Sequence, residues 1–280
     1  MKETIGRLVA QFEQGVRSDE PELVRFKSIF LAALEAGRVR AAEPDGQGGW
    51  RVNTWVQQGI LLIFKTDRLA GFSRGARDKA SLAPRLLDQS CGNVRVVPGG
   101  STVRAGAFVG NNVVLMPPSY MNIGSYLGDG SMLDSHALLG SCAQVGHKVH
   151  VSAGVILGGV LEPVGSRPVI IEDEVLIGGQ CGIYEGVLVR RRAVLSSGTI
   201  LNGSTKVYDA VRDRWLERTD GHPLEIPEGA VLVPGTRPLA TVGARGQGVA
   251  LSIAVIMKYR DASTDAKVTL NEVLHSEVTP

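Results

Sequence analysis

The chain carries no surplus of charge of either sign. Its 280 residues hold 30 Lys and Arg against 28 Asp and Glu, which removes the electrostatic basis for nucleic acid or a membrane as the main partner. Aromatic residues are scarce, at 5%, so a conventional aromatic core is not expected. There are three cysteines, Cys91, Cys142 and Cys181, an odd number without metal-type spacing, which fits a reduced protein rather than a disulfide framework or a Cys-bound metal. No stretch approaches the roughly 20 apolar residues of a membrane span. Lys2, Glu3 and Arg7 interrupt any apolar signal core near the first residue, and a cytoplasmic location is expected.

What is plentiful is glycine, with 35 residues, and an aliphatic residue that returns every six positions. Val97, Val103, Val109 and Leu115 begin a series that runs through Met121, Leu127, Leu133, Leu139, Val145 and Val151 to Leu157. After a slip of two residues between Pro163 and Ile170 it resumes at Ile171 and continues to Val207, then returns at Ile226 and Leu232. Four places after each of these stands Ser, Ala, Val, Thr or Cys, with Leu161 the one exception.

A period of six matches neither the 3.6 of a helix nor the variable strands of a meander. It is the hexapeptide pattern of a parallel β-helix, in which each unit makes one flat wall and three walls close a triangular coil. The aliphatic residue points inward from the wall, and the small residue sits inward near the corner. Twenty such units predict roughly six to seven coils at about 4.8 Å spacing. Cys181 falls on a small inward position and reads as core filler.

Before the repeat, residues 1–92 read as a separate helical domain. Ile5, Leu8, Val9, Phe12 and Val16 form one amphipathic stripe. Ser18 and Asp19 offer an N-cap ahead of Pro21, and Leu23, Phe26, Phe30 and Leu34 make a second stripe that Gly37 can end. Trp50 to Phe64 suits strand or helix, and Gly71 to Ala80 reads as a solvated loop or lid edge. Residues 93–238 hold the prism, with Pro117 and Pro118 expected to interrupt a wall and produce a protrusion. "PVGSRPVI" reads as a corner loop and residues 208–225 as a longer excursion. In 239–280, "VALSIAVIMKY" reads as a buried strand and "TLNEVLH" as a closing helix, together a cap over the open end of the prism.

From about Arg95 to Leu274 the chain resembles the tetrahydrodipicolinate N-succinyltransferases, a hexapeptide-repeat acyltransferase family. The blocks that carry the resemblance are "VRVVPGGSTVRAGAFVG", "VLMPPSYMNIGSY", "GSMLDSHALLGSCAQVGHKVHVSAGVILGGVLEP", "VIIEDEVLIG", "EGVLV", "GSTKVYD" and "KVTLNEVL". The helical N-terminal domain with "GGWRVNTW" agrees with it. The resemblance implies a mainly β chain with a left-handed prism, a homotrimer with sites between subunits, and small-molecule substrates. It also implies succinyl-CoA as co-substrate, no metal, and transfer of succinyl to the amine of hydrated, ring-opened tetrahydrodipicolinate in the diaminopimelate route to lysine.

The resemblance also implies site residues. Arg95 matches a substrate-binding arginine, suited to a dicarboxylate. Asp134 matches an active-site aspartate that binds substrate and can accept the amine proton. Ser119, Tyr120 and Asn122 lie in the acceptor-side block. For a second carboxylate, either Asp134 works alone with a substrate carboxylate or water, or another group such as Glu162 contributes on the substrate side. Gly158, Gly159 and Lys206 are candidates to line the CoA groove. Arg190, Arg191 and Arg192 could meet CoA phosphates or form a solvated corner. The chain departs from the family at Gly182, where a second active-site carboxylate is usual, at the paired prolines, and at His136, where an aromatic is usual. An acetyl-CoA-dependent N-acetyltransferase is the nearest alternative. A zinc-dependent, carbonic anhydrase-like prism is a remote one, since His147 and His150 are three residues apart and face different ways, with His136 at yet another hexad position.

Overall fold

The computed structural model describes residues 1–13, 21–72, 75–87, 93–239 and 247–261, without the side chains of residues 12 and 13. Three parallel sheets make a triangular prism. The first wall stacks Arg95–Val96, Val114–Leu115, Met132–Leu133, His150–Val151, Leu176–Ile177, Val194–Leu195 and the start of Ala230–Pro238. The second wall runs from Thr102–Val103 to Ile200–Leu201, and the third from Phe108–Val109 to Glu225–Ile226, six strands each. Tyr126 pairs with Phe108 below and Gln144 above, so one coil is 18 residues, or three hexads. The inward series Leu127, Leu133, Leu139, Val145, Val151 and Leu157 is fully buried, as period-two strands with one inward face require. Corners turn through left-handed backbone: Asn112, Gly130, Lys148, Glu174 and Arg192 stack at one of them with φ between 53 and 68°.

Several expectations change at the ends of the repeat. Val96 stands opposite Leu115, so Val97 lies one place off the inward column. The extra residue enters at Gly99–Gly100, where Gly99 has φ 148° and a β-carbon would stand 2.4 Å from Cβ of Pro117. Val207 is buried but leaves the third wall, whose next strand is Glu225–Ile226. Val207–Asp209 instead pairs with Ala250–Tyr259 and with Arg214–Leu216.

Pro117 and Pro118 do not break a wall. They occupy the corner between Val114–Leu115 and Tyr120–Met121, joined by a cis peptide bond, where no ladder donor is needed. The slip at 158–169 is a corner loop of eight extra residues, because Val145 pairs with Ile171, 26 positions on, in place of 18.

The N-terminal part folds as α1 (Lys2–Glu13), α2 (Pro21–Glu35) and α3 (Thr54–Thr66), with a hairpin of Ala42–Pro44 and Trp50–Val52. Leu23, Phe26, Phe30 and Leu34 are buried. Helix α2 ends at Gly37, φ 67°, with Arg38 N–H on the Ala33 carbonyl and Gly37 N–H on that of Leu34. Residues Leu69–Gly71 and Arg77–Lys79 pair as a hairpin, so the expected loop is ordered strand. Val16, Ser18, Asp19 and "TLNEVLH" lie outside the described residues.

The helices share a core with Ala105, Ile123 and Cys142 at the corner between the second and third walls, and Ala42 packs on Ile170 and Leu188 of the third wall. Arg40 fixes this docking. Its guanidinium lies 3.7 Å over the Tyr126 ring and its Nε donates to Gln144 Oε1 at 3.0 Å. The third wall is thereby covered, whereas the second wall keeps Ile156 39% and Ile200 50% exposed.

At the far end, Ala250–Tyr259 pairs antiparallel with Ala230–Pro238 and extends the first wall. In contrast to the buried strand that its sequence predicts, only Ile253, Ala254 and Ile256 are buried, because one face of this ribbon is open. Asp209 anchors it, accepting from Tyr259 Oη at 2.7 Å while fully buried. No helix among the described residues is long and apolar enough to cross a membrane.

Candidate active site

Asp134 follows Leu133 at the corner from the first to the second wall. It is half-buried, and its Oδ1 accepts Ser135 N–H at 2.6 Å. Its backbone is fixed by N–H to the Val151 carbonyl and by Ala137 N–H on its own carbonyl. Among the described residues its second carboxylate oxygen has no partner, so one oxygen holds the corner and the other is open to a ligand. His136 beside it has φ 62° and donates its N–H to the Pro118 carbonyl at 2.7 Å, which ties this corner to the coil below.

Arg95 lies on the first wall two coils below Asp134, roughly 10 Å along the prism axis. It is exposed and has no ion pair among the described residues. Ser119 occupies the small inward position, buried, with its hydroxyl 3.1 Å from Ser101 Oγ.

Tyr120 and Asn122 sit on the outward side of the same coil and meet a residue that the sequence did not single out, Arg104. Arg104 Nη1 donates to Asn122 Oδ1 at 3.0 Å, its Nη2 reaches Asp78 at 2.7 Å, and its guanidinium stands 5.0 Å over the Phe64 ring. Its buried Nε has no hydrogen-bond partner among the described residues. Burial pushes the Tyr120 phenol above its usual range, with Arg104 opposing and Asp78 adding to the rise. Arg104 takes the outward place after inward Val103, as Asn122 does after Met121 one coil up, and that spacing was the signal available for it.

The remaining candidates lie elsewhere on the chain. Gly158 and Gly159 begin the corner loop above the second wall. A β-carbon at Gly159 would stand 2.4 Å from Ser141 N, so close backbone approach requires glycine there. Glu162 is exposed on a cleft of 560 Å³ with Arg167, Glu185, Arg218 and His222. Lys206 is paired with Glu217 at 2.6 Å. Arg190 is held by Glu172, Glu225 and the Gly48 carbonyl, and Arg191 reaches Glu174 and Glu228. His147 Nδ1 accepts Asp129 N–H at 3.1 Å. Among the described residues no group of three or more His, Cys, Asp and Glu could hold a metal ion.

Gly182 lies on the outward face of the second wall but is buried, because the Tyr184 ring covers it. Cys181 is likewise buried, its Sγ 3.2 Å from the Ser196 carbonyl, and burial raises the thiol's pKa.

Residues 1–66 match the family profile of the tetrahydrodipicolinate N-succinyltransferase N-terminal region, and residues 168–202 match that of the hexapeptide repeat of succinyl-transferase. That repeat makes the prism left-handed. Three proteins named 2,3,4,5-tetrahydropyridine-2,6-dicarboxylate N-succinyltransferase are close in sequence. That of Polynucleobacter asymbioticus is 42% identical over 251 residues, 87% of this chain and 86% of its own. That of Rhodopseudomonas palustris is 40% identical over 255 residues, 87% of each. That of Idiomarina loihiensis is 39% identical over 280 residues, 96% of this chain and 97% of its own.

Proposed function

The chain belongs to the tetrahydrodipicolinate N-succinyltransferase family, and from that membership we propose the reaction and the roles of its residues. It is a CoA-dependent N-acyltransferase that moves succinyl from succinyl-CoA to the amine of hydrated, ring-opened tetrahydrodipicolinate, in the diaminopimelate route to lysine. The observation that carries this is identity of about 40% over nearly the whole of both chains, on a prism of intact hexads.

The amine nitrogen attacks the thioester carbonyl carbon, forming the N–C bond and placing charge on the oxygen. Asp134 takes the proton that the nitrogen must lose, through the carboxylate oxygen that the Ser135 N–H does not use. Collapse breaks the C–S bond, and the departing CoA sulfur takes up the proton that Asp134 accepted, giving the thiol and restoring the carboxylate. Arg95, which has no carboxylate partner among the described residues, faces a carboxylate of the acceptor. Tyr120 and Asn122, held by Arg104, line the acceptor side, and Ser119 supports that corner from within. Gly158 and Gly159 floor the pantetheine path, Glu162 stands near it, and Lys206 exchanges Glu217 for a CoA phosphate. The active unit is a homotrimer in the cytoplasm, with each site between two chains. The open face that holds Asp134 and the exposed Ile156 and Ile200 supports that reading.

Thiol release from succinyl-CoA, followed with and without the amino dicarboxylate acceptor and repeated with acetyl-CoA, tests the assignment. Acceptor-dependent release that favours succinyl-CoA is expected. A clear preference for acetyl-CoA would overturn the donor.

A further inference from the structure

The outward positions of the second wall read Tyr120, Leu138, Ile156, Gly182 and Ile200 from coil to coil. From Leu138 upward this column is apolar, with exposed Ile156 and Ile200 on either side of Gly182. Tyr184 follows Gly182 by two positions, so its side chain leaves the chain on the same face. The ring folds back along its own strand: a β-carbon at Gly182 would stand 2.6 Å from Cε2 and 2.8 Å from Oη of Tyr184. The same ring reaches down to the preceding coil, where a β-carbon at Gly158 would stand 2.7 Å from its Cδ1. Two glycines in adjacent coils therefore form the bed of one aromatic ring, and any larger residue at either would displace it.

This packing fixes the phenol oxygen over Gly182, on the apolar wall. Among the described residues that hydroxyl makes no hydrogen bond. A donor held rigidly on an apolar surface is what a ligand with one polar atom needs for orientation.

We propose that the Tyr184 hydroxyl donates a hydrogen bond to the carbonyl oxygen of the acyl thioester, orienting it for attack and stabilising the oxygen as it gains charge. The inference rests on the acyl-CoA reading above, with the thioester lying along Ile156 and Ile200. The carbonyl oxygen is weakly basic in the bound thioester and anionic in the tetrahedral intermediate, so the bond strengthens on the way to the transition state. No proton leaves Tyr184. Within one chain Gly182 stands two coils above Asp134, roughly 10 Å along the prism axis. Tyr184 and the Asp134 that takes the amine proton therefore come from the two chains that share a site. The N–C bond forms and the C–S bond breaks as before.

Two substitutions separate the hydroxyl from the ring. Tyr184→Phe keeps the ring on its glycine bed and removes only the donor. Gly182→Ala keeps the hydroxyl but forces the ring away. Both are expected to lower kcat by about 10²- to 10³-fold, the usual effect of losing one oxyanion donor. KM for the acyl-CoA should move little, and Tyr184→Phe should unfold at the wild-type temperature. The ratio of variant to wild-type kcat is taken with whichever acyl-CoA the wild type turns over best. A wrong donor then appears in the wild-type rates, and a wrong role for Tyr184 appears in the ratio. Wild-type turnover by Tyr184→Phe would overturn the proposal. A rate loss in Tyr184→Phe matched by an equal loss of thermal stability or of oligomer would overturn it too, because the hydroxyl would then be a structural contact. Wild-type turnover by Gly182→Ala would overturn it as well, because the hydroxyl would then have no need of its fixed place over Gly182.

Discussion

Asp134→Asn isolates the proposed proton acceptor with little disturbance of the fold. In the wild type Oδ1 accepts the Ser135 N–H at 2.6 Å, and the amide oxygen of Asn can keep that bond. The backbone contacts to Val151 and Ala137 do not involve the side chain. A change of this kind on a half-exposed corner stays within about 0.5 kcal/mol of wild-type stability. What disappears is the basic oxygen. Loss of a positioned general base costs about 10²- to 10⁴-fold in rate, or about 2.7 to 5.4 kcal/mol of barrier at 1.36 kcal/mol per tenfold. Steady-state thiol release at saturating succinyl-CoA and acceptor reads kcat, and thermal unfolding on the same sample reads the fold. A loss of less than about tenfold with an unchanged unfolding temperature would remove Asp134 from the proton transfer.

Arg95→Met should lower kcat/KM for the acceptor by about 10- to 150-fold, the equivalent of a charged hydrogen bond of about 1.5–3 kcal/mol, and leave KM for succinyl-CoA unchanged; a loss on the CoA side would reassign it. Lys27 and Asp67 form an ion pair at 2.9 Å with side chains only 6% and 8% exposed. Lys27→Met leaves the buried Asp67 carboxylate without its counter-charge, held by the Ser81 N–H, and should cost about 3–5 kcal/mol by denaturant titration, with Lys27→Met/Asp67→Asn regaining much of it. Burial works against ionisation of Asp67, but hydrogen bonds from Lys27 and Ser81 and the Lys27 charge outweigh it and hold the pKa below its ordinary value. A lowered folded-state pKa means stability that is fully present above about pH 4–5 and lost as pH falls further. Lys27→Met should therefore flatten the acid limb of the stability curve. The buried Cys142 thiol is pushed up to about 12 and Cys181 is also raised, so a Cys91→Ser chain should leave a thiol reagent unreacted until it is unfolded. Native mass spectrometry should find a trimer, and a monomer at full activity would contradict sites shared between chains.

The prism was legible because its walls repeat one local rule: inward residues recur at six, and a single slip would show at once. Its ends were less so. Gly99 and Gly100 admit an extra residue that shifts Val97 out of register, and Val207 continues the period in sequence although its strand has turned away to pair with Ala250–Tyr259. In each case pairing with a distant strand decided the matter, and six-residue spacing is blind to that. Of the candidate site, Arg95 and Asp134 could be proposed from the sequence because they stand in blocks that match the family. Lys206 could not be known to face Glu217, nor Arg104 to collect Asp78, Asn122 and Phe64, since those contacts join segments far apart in the chain. Gly182 appeared from sequence as a missing side chain, and only the direction of the Tyr184 ring filled that place.

Succinyl transfer to an amine is decided by mass spectrometry of the acceptor after incubation with equal succinyl-CoA and acetyl-CoA. The N-succinylated acceptor is expected to predominate and to depend on the intact chain. Predominance of the N-acetylated acceptor, or CoA release with no amide formed, would contradict succinyl transfer.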